Sequence, residues 1–255
     1  MRMRKKRHGS ERLLALSALL YPLEGENWIP ASEVFGNELP LKLEVGCGKG
    51  DFITALSERD AGYNYIALER ISDVAVCAVE KYAKRRGLGS LAPNGGWLAP
   101  DGGLYRDGAV WEIPEALRGN VRFLVGEAGD TVSLMPSRSL DGIIANFSDP
   151  WSRKCNYEKR RLTHPAYLES YRRVLKPEGL FSFKTDNDTL FDYTLEMLPN
   201  AGFEIVYSTR DLHHSERAED NIVTEYERNF TEQGIPIKML EARPTGEPAS
   251  LFPGH

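Results

Sequence analysis

The sequence predicts an α/β fold built on a doubly wound, mostly parallel β-sheet with a closing antiparallel strand. Short runs rich in Val, Ile, Leu and Phe alternate with helix-like stretches of about ten to fifteen residues, which is typical of βαβ units. The runs lack a strict alternation of apolar and polar residues, as expected of strands that helices cover on both faces. A chain of 255 residues is long enough to form one such domain.

The amino-terminal half supplies three of the predicted strands. Each is a short apolar run, and a helix-like stretch follows the first and the second. Ser72 is predicted to cap the second of these helices, because a serine hydroxyl can accept a free N–H of the first turn. The predicted strands are LKLEV (41–45), YNYIALE (63–69) and VRFLV (121–125), and the predicted helices are 51–59 and 72–86.

The carboxyl-terminal half supplies the remaining strands. One helix, 164–175, is predicted between two of them, and it ends at the turn-forming sequence KPEG (176–179). The last two apolar runs are predicted to form a closing pair of strands. The four predicted strands are LDGIIANF (140–147), LFSFKT (180–185), FEIVYSTR (203–210) and TEYERNFT (224–231).

The predicted domain organisation is a basic arm with a lead-in helix (1–40), followed by a single domain (41–255). Residues 87–120 interrupt the alternation of strands and helices, because they are rich in Gly and Pro and have no clear period. We therefore predict an insertion there, in the form of a small hairpin or flap. The tail from Pro244 onward is expected to be loose.

The basic residues are concentrated in two segments, although the net charge is −5. Residues 1–12 hold six Lys or Arg and one acidic residue, and residues 151–176 hold eight Lys or Arg and two acidic residues. A basic face of this kind can attract a polyanion even when the protein is acidic overall. A nucleic-acid partner is one interpretation, and a solvated face with a free tail is the other.

The cysteine, histidine and apolar patterns disfavour several classes of protein. The three cysteines are far apart and form no C-x-x-C pair, which indicates neither a disulfide framework nor a zinc site and favours the reducing cytoplasm. The adjacent His213 and His214 would diverge on a regular element, so metal binding is disfavoured. No apolar run approaches the roughly 20 residues of a membrane span, and LLALSALL near the amino terminus is short for an export signal.

A glycine-rich turn, EVGCGKG (44–50), follows the first predicted strand. Glycine lets the backbone turn sharply and approach a ligand closely, and doubly wound sheets bind ligands at such turns. The spacing differs from the G-x-G-x-x-G of dinucleotide sites, and Glu44 would repel a pyrophosphate. A ligand with ammonium and sulfonium groups suits it better. Glu44 with Gly46, Gly48 and Gly50 resembles the first motif of class I (Rossmann-like) methyltransferases, which bind S-adenosyl-L-methionine.

Two further acidic residues follow predicted strands. Glu69 ends the second strand, where a carboxylate in this fold accepts hydrogen bonds from ribose hydroxyls. Glu127 follows the third strand, where it would meet an adenine amino group. A solvent-facing charge just beyond a strand is the alternative for each. Three acidic residues at successive strand ends favour the cofactor interpretation.

The fourth predicted strand runs into NFSDPW (146–151), where the methyl acceptor is expected to bind. Pro150 restricts Asp149 to an extended conformation. Trp151 can stack on an extruded base. The alternative is a tight turn with a packed tryptophan.

Three separated segments carry a resemblance to a known family. SDPWSRKCNYEKRRL (148–162), KTD (184–186) and TEYER (224–228) resemble, in this order, segments of the bacterial tRNA (guanine-N7-)-methyltransferases. Two features depart from the family pattern. Residues 87–120 form a longer stretch than is usual, and the basic segment after Trp151 has one extra residue.

The resemblance implies an enzyme that methylates guanine N7 in the variable loop of tRNA. Asp149 would be the catalytic residue and would share the cofactor side with Glu44, Glu69 and Glu127. The substrate side would comprise Arg153, Asp186, Thr224, Glu225, Tyr226 and Glu227. Alternatives are a class I methyltransferase with another RNA or small-molecule acceptor, and a non-catalytic RNA-binding module. A monomer and a homodimer both remain open.

The basic substrate contact is the least defined of these residues. Arg153 stands where lysine is typical of the family, so the contact falls on either Arg153 or Lys154.

Guanine N7 suits the residues that the sequence offers. N7 has a lone pair and no proton, so methyl transfer to it needs no general base. A carboxylate beside the ring, such as Asp149, stabilises the positive charge that develops there. Asp186 or Glu227 can accept the N1–H and N2–H donors of guanine, and the basic segments can bind backbone phosphates.

Overall fold

The structure is a computed structural model that describes residues 6, 8–25, 27–93, 95–151 and 154–245, without the side chains of residues 24 and 154–156. Its main feature is a seven-stranded sheet, whose strands we number in chain order. They are β1 (Leu41–Val45), β2 (Asn64–Glu69), β3 (Val121–Val125), β4 (Leu140–Asn146), β5 (Leu175–Thr185), β6 (Phe203–Thr209) and β7 (Lys238–Pro244).

The strand order of this sheet is β6-β7-β5-β4-β1-β2-β3. Strand β4 is parallel to both β1 and β5, and β2 is parallel to β3. Strand β7 is antiparallel to both of its neighbours, β5 and β6. The predicted α/β fold, with a mostly parallel sheet and an antiparallel closing strand, is therefore confirmed.

Helices connect most of the strands. Within the described residues, none of them is both long and apolar enough to cross a membrane. The helices are α1 (Gly9–Ala15), α2 (Ala31–Phe35), α3 (Asp51–Arg59), α4 (Ser72–Arg85), α5 (Glu115–Arg118), α6 (Ala128–Leu134), α7 (Pro165–Val174), α8 (Asp188–Asn200) and α9 (Glu225–Thr231).

The chain divides into two compact units, of which the first comprises Met1–Pro40 and Gly46–Glu127. Helix α4 buries one face in this unit, because its apolar residues recur at the three- and four-residue spacing of a helix. Arg12 of α1 forms two hydrogen bonds with the Glu80 carboxylate of α4 and is only 8% exposed. The buried residues of α4 are Ala75, Val76, Ala78, Val79, Tyr82 and Ala83.

The stretch 87–120 contains a small antiparallel sheet of three strands, Ser90–Leu91, Trp97–Leu98 and Leu104–Tyr105. Trp97 anchors it, because its indole is 1% exposed and donates a hydrogen bond to the Leu88 carbonyl at 2.7 Å. The stretch is therefore ordered by its own buried tryptophan, in the form of a meander. Its status as an insertion into one domain stays a prediction.

The second unit comprises Leu41–Val45 and Ala128–His255. Its core is aromatic: Phe181 of β5 stacks on Tyr171 of α7 and on Phe183, with ring centroids 5.8 Å and 6.4 Å apart. All three side chains are fully buried. This core supports the carboxyl ends of β4 and β5, after which the predicted acceptor residues follow.

Three local predictions are wrong. TEYERNFT (224–231) is helix α9, and the closing strand is instead β7. The KPEG turn (176–179) lies inside β5, where the pairing with β4 shifts register. Ser72 is the first helical residue of α4 and makes no capping bond, because Ile71 is the N-cap.

Candidate active site

A tight glycine turn follows β1. The Leu68 carbonyl of β2 accepts hydrogen bonds from the N–H groups of Gly46 (2.8 Å) and Cys47 (3.0 Å), which fixes the start of the turn. Gly46, Gly48 and Gly50 have φ values of 75°, 57° and 78°. A side chain would strain these left-handed conformations, so the backbone of the turn itself favours glycine at all three positions.

The glycines of this turn have different neighbours. A Cβ added at Gly50 would lie 2.9 Å from the Cβ of Ala78, so this glycine lets the turn pack against α4. A Cβ added at Gly48 would meet no atom of the described chain within 4 Å. Gly50 therefore serves packing, whereas the backbone at Gly48 is open to the close approach of a ligand.

The Glu69 carboxylate is held by two backbone groups. Its Oε2 accepts the N–H of Gly48 at 3.1 Å, and its Oε1 accepts the N–H of Ile71 at 2.9 Å. A carboxylate oxygen can accept more than one hydrogen bond, and the side chain is only half-buried. Glu69 therefore presents a pre-oriented acceptor at the end of β2.

Glu127 follows the neighbouring strand β3. Val125 pairs with Glu69 in register, and the N–H of Gly126 donates to the Glu69 carbonyl at 3.1 Å. Glu127 is half-buried, one residue further along. The first unit thus brings together Gly48, Glu69 and Glu127. Two carboxylates beside an open backbone suit a ligand with hydroxyl and amino donors, so these residues fit S-adenosyl-L-methionine.

The predicted acceptor segment forms an irregular turn after β4 in the second unit, at residues 147–151, which we call the Asp149 turn. The N–H of Phe147 donates to the Lys184 carbonyl of β5 at 2.8 Å. Phe147 and Trp151 have φ values of 51° and 24°, which cost on the order of 1–3 kcal/mol each for such residues. Asp149 lies between them and is exposed. Strain of this kind persists where the surrounding structure imposes it, often at functional sites.

Three residues around this turn have buried polar atoms. Glu44 of β1 is 2% exposed and pairs with Ile144 of β4. Both side-chain polar atoms of Asn146, and the hydroxyl of Ser148, are buried without a hydrogen-bond partner among the described residues. Buried polar groups normally have partners, so Asn146 and Ser148 are candidate ligand contacts. The sequence analysis gives neither residue a role. The available signal was Asn146, a polar residue at the end of an apolar strand.

Helix α9 carries three of the predicted substrate residues. Thr224 is its N-cap, and the Thr224 Oγ1 accepts the N–H of Glu227 at 3.1 Å. Glu225 and Tyr226 are exposed in the first turn, whereas Glu227 is 0% exposed. Thr224 therefore fixes the start of the helix, and Tyr226 is the aromatic residue that this turn offers to a ligand.

The buried Glu227 carboxylate is enclosed by three donors. Lys184 Nζ donates to Oε2 at 2.9 Å, while His213 Nε2 (2.7 Å) and Asn221 Nδ2 (2.6 Å) donate to Oε1. Burial alone would raise the pKa of Glu227, but the Lys184 ammonium and the three hydrogen bonds outweigh it, so this pKa lies below its ordinary value. Glu227 is thus a buried anion, occupied by protein donors at the position where the sequence predicts a guanine contact.

Two carboxylates lie near the exposed ring of Tyr226. The ring is 50% exposed, and its centroid lies 5.1 Å from that of Phe147 and 5.0 Å from that of Phe230. Burial raises the pKa of Tyr226, and the negative charges of Asp186 and Asp149 raise it further. Both carboxylates therefore act on the phenol through space. The second unit thus packs Tyr226 against Phe147, two residues before Asp149.

The basic residues after the Asp149 turn are of two kinds. Lys159 and Arg160 are exposed, and the Arg160 guanidinium lies 5.2 Å from the ring centroid of Trp151 and 5.0 Å from that of Tyr157. Arg161 is 2% exposed and donates to backbone carbonyls. The expectation that the basic segment binds phosphates is thus wrong for Arg161, because the protein encloses its guanidinium.

Arg153 lies outside the described residues, and so does the side chain of Lys154.

Comparison with known proteins extends these observations. A family model described as a putative methyltransferase matches residues 38–240. The tRNA (guanine-N(7)-)-methyltransferase of Geobacillus sp. (strain WCH70) is 35% identical over 243 residues, 95% of this chain and 96% of that protein. The protein of the same name from Lachnoclostridium phytofermentans is 37% identical over 210 residues, 82% of this chain and 83% of that protein.

Solved structures support the fold. The 16S rRNA methyltransferase KamB superposes with a TM-score of 0.53 at 13% identity, covering 84% of this chain and 92% of that chain. An antibiotic-related methyltransferase superposes with a TM-score of 0.50 at 18% identity, covering 88% and 98%. The fold is that of the class I methyltransferases. On the family model and the relatives together, the chain belongs to the tRNA (guanine-N(7)-)-methyltransferase family.

Proposed function

We propose that this protein transfers the methyl group of S-adenosyl-L-methionine to N7 of a guanine in the variable loop of tRNA, in the cytoplasm. The observation that carries the proposal is the half-exposed ring of Tyr226, which packs against Phe147 in the turn that carries Asp149. Such a ring can stack on a base that leaves its helix. The names of the relatives support the same acceptor.

The cofactor is held by acidic residues at strand ends. Glu69 accepts the ribose hydroxyls, Glu127 accepts the adenine amino group, and the open backbone at Gly48 leaves room for the ligand. Glu44 suits the positive charge of the methionine moiety. When bound, S-adenosyl-L-methionine supplies an electrophilic methyl group on a sulfonium.

The acceptor is positioned rather than deprotonated. N7 carries no proton, so the chain needs no general base, and positioning alone can supply ~7–11 kcal/mol of the barrier. Tyr226 stacks on the guanine, and Asp186 accepts its N1–H and N2–H donors. Asp149 stabilises the positive charge that spreads over the ring during transfer, as a preorganised carboxylate in a fixed turn can.

The tRNA backbone is bound by exposed cations. Lys159 and Arg160 contact phosphates, together with the basic residues that precede Arg12 and with Arg153 or Lys154; Arg12 itself is buried against Glu80. Such contacts orient the RNA without reading its sequence. The Arg160 guanidinium already lies over Trp151 and Tyr157, a surface on which a flanking base can stack.

The product identifies the function. The protein is incubated with bulk tRNA and labelled S-adenosyl-L-methionine, and the labelled nucleoside is identified and mapped to its fragment of the tRNA. We expect 7-methylguanosine in the variable loop. Label in another nucleoside would establish a different RNA acceptor. Cofactor binding without label would indicate a small-molecule acceptor, and tRNA binding without cofactor binding would indicate a non-catalytic RNA-binding module.

A further inference from the structure

We propose that Arg161 is a positioning residue, whose buried guanidinium holds the Asp149-Pro150-Trp151 turn in the conformation that methyl transfer requires. The inference rests on the proposed methyl transfer. The role of Arg161 then differs from that of Lys159 and Arg160, its exposed neighbours of the same charge.

The guanidinium bonds directly to the backbone of the turn. Its Nε donates to the carbonyls of Pro150 (2.9 Å) and Trp151 (3.0 Å), and its Nη2 donates to the Trp151 carbonyl at 2.7 Å. The carbon of the guanidinium lies 4.4 Å from the ring centroid of Tyr193 in α8. A planar, forked cation can hold two carbonyls while one face rests on an aromatic ring, and an ammonium cannot.

The turn needs such a partner because its backbone is strained. Phe147 and Trp151, on either side of Asp149, both occupy the left-handed region, which bulky side chains avoid. Without an external restraint the segment would relax toward unstrained conformations. Hydrogen bonds from a charged donor are stronger than neutral ones, and Arg161 directs three of them at this segment.

The burial of Arg161 indicates that function retains it. The side chain is 2% exposed, and among the described residues no carboxylate lies within ion-pair distance of it. Its Nη1 is also buried, and it has no hydrogen-bond partner among the described residues. A buried cation without an anion is costly for folding. Residues that violate a folding rule in this way tend to occur at functional sites.

Asp149 is the residue through which Arg161 acts. The carboxylate lies one residue before the first carbonyl that the guanidinium holds, so movement of that carbonyl moves Asp149 as well. A displacement of about 1 Å in a reacting arrangement can slow a reaction about 100-fold. Arg161 is thus expected to govern the rate of transfer and to leave the binding of tRNA phosphates unchanged.

The test compares Arg161→Lys with the matched variant Arg173→Lys in the full-length protein. Arg173 also donates to backbone carbonyls, those of Met135 (2.8 Å) and Val132 (2.7 Å) at the end of α6, away from the Asp149 turn in sequence and in its contacts. Single-turnover rates are measured at saturating tRNA and S-adenosyl-L-methionine. The dissociation constant for tRNA, its salt dependence and the midpoint of thermal unfolding are measured on the same samples.

We expect Arg161→Lys to lower the single-turnover rate roughly 10- to 100-fold, with the tRNA dissociation constant within about twofold and the salt slope unchanged. Arg173→Lys should keep the wild-type rate even if its unfolding midpoint falls. A full rate at saturation in Arg161→Lys, with or without weaker tRNA binding, would overturn the proposal.

A second variant covers the case in which Arg161→Lys does not fold. Tyr193→Leu keeps the guanidinium and removes the ring beneath it, and it should lower the rate in the same way to a smaller degree. An unchanged rate there would also overturn the proposal. If wild-type protein labels a nucleoside other than 7-methylguanosine, the proposed acceptor fails, yet the same rate comparison still tests Arg161.

Discussion

The buried ion pair between Glu227 and Lys184 leads to a prediction about stability. The side chain of Glu227 is 0% exposed and that of Lys184 is 4% exposed, with Oε2 and Nζ 2.9 Å apart. The substitution Glu227→Gln keeps the shape of the side chain but leaves the Lys184 ammonium buried without its anion. The substitution also replaces one carboxylate oxygen by an amide NH2 group. The hydrogens of that group are repelled by the donors around it, because His213 and Asn221 both donate to the Glu227 side chain.

The size of the effect follows from this burial. Removal of one partner of a buried ion pair costs about 3–5 kcal/mol of unfolding free energy. The amide oxygen of glutamine can still accept one of the hydrogen bonds, so we take the lower end, about 3 kcal/mol. A chain of this length shifts by roughly 2–4 °C per kcal/mol, and the thermal midpoint should therefore fall by roughly 6–12 °C.

The assay is thermal and denaturant unfolding at pH 7 of wild type, Glu227→Gln and the control Glu225→Gln. Glu225 is the exposed acid in the same helical turn, and its loss should cost no more than about 1 kcal/mol. The double variant with Lys184→Met should be more stable than the sum of the single effects predicts, because the two residues interact. A Glu227→Gln protein as stable as the control, or strictly additive effects, would show that the buried ion pair does not stabilise the fold.

The same pair predicts a dependence on acid. The pKa of Glu227 in the folded protein lies below the ordinary value of 4.5, so the pair stabilises the fold above that pH and its contribution is lost as the pH falls through the lowered value. The wild type should therefore lose stability on acidification below about pH 4.5 more steeply than Glu227→Gln. Parallel acid-unfolding curves for the two proteins would contradict the assignment.

The remaining predictions concern the site. Glu69→Ala should weaken cofactor binding in equilibrium titrations by ~1–3 kcal/mol, since the N–H groups of Gly48 and Ile71 lose their acceptor; unaltered affinity would remove Glu69 from the cofactor site. Asp149→Asn should slow single-turnover transfer roughly 10²-fold or more, whereas a wild-type rate would leave catalysis to positioning alone. Replacing Lys159 and Arg160 together by Ala should weaken tRNA binding and reduce its salt slope by ~0.7–0.9 per phosphate contact; an unchanged slope would make them ordinary surface charges.

The sequence predicts the parallel part of the fold well because its signals are local. Strands buried on both faces are continuous apolar runs, and β3 matches the predicted run at both ends. The turn after β1 has left-handed backbone conformations that favour glycine, so Gly46, Gly48 and Gly50 mark the place of this turn in the sequence. The places of Glu69 and Glu127 are predicted in the same way, because Glu69 ends one apolar run and Glu127 follows the next.

The sequence does not predict the last helix and strand, α9 and β7, because two signals compete in TEYERNFT (224–231). TEYERNFT contains aromatic and threonine residues typical of strands, but Thr224 and Glu227 have the spacing of a capping box, which starts a helix. The true strand β7 alternates buried and more exposed residues, as an antiparallel strand near the edge of a sheet does. Here the capping signal and the alternation outweigh intrinsic preference.

The sequence does not show which charged residues of the site are exposed and which are buried, because burial depends on elements that are distant in the sequence. Lys159, Arg160 and Arg161 are adjacent and chemically alike, yet only Arg161 is enclosed, against Tyr193 and the carbonyls of the Asp149 turn. Glu227 is likewise removed from solvent by Lys184, a residue 43 positions away in the sequence. A motif gives the type of residue at a position and leaves open whether it faces the ligand or supports a neighbour.

Modified RNA shows whether guanine N7 is the acceptor atom. One tRNA transcript is made with guanine and a second with 7-deazaguanine, which keeps the Watson–Crick edge but has carbon in place of N7. Both are incubated with the protein and labelled S-adenosyl-L-methionine, and tRNA binding is measured in parallel. We expect both transcripts to bind and only the guanine transcript to be methylated. Equal methylation of the two transcripts would show that the methyl group goes to an atom other than N7.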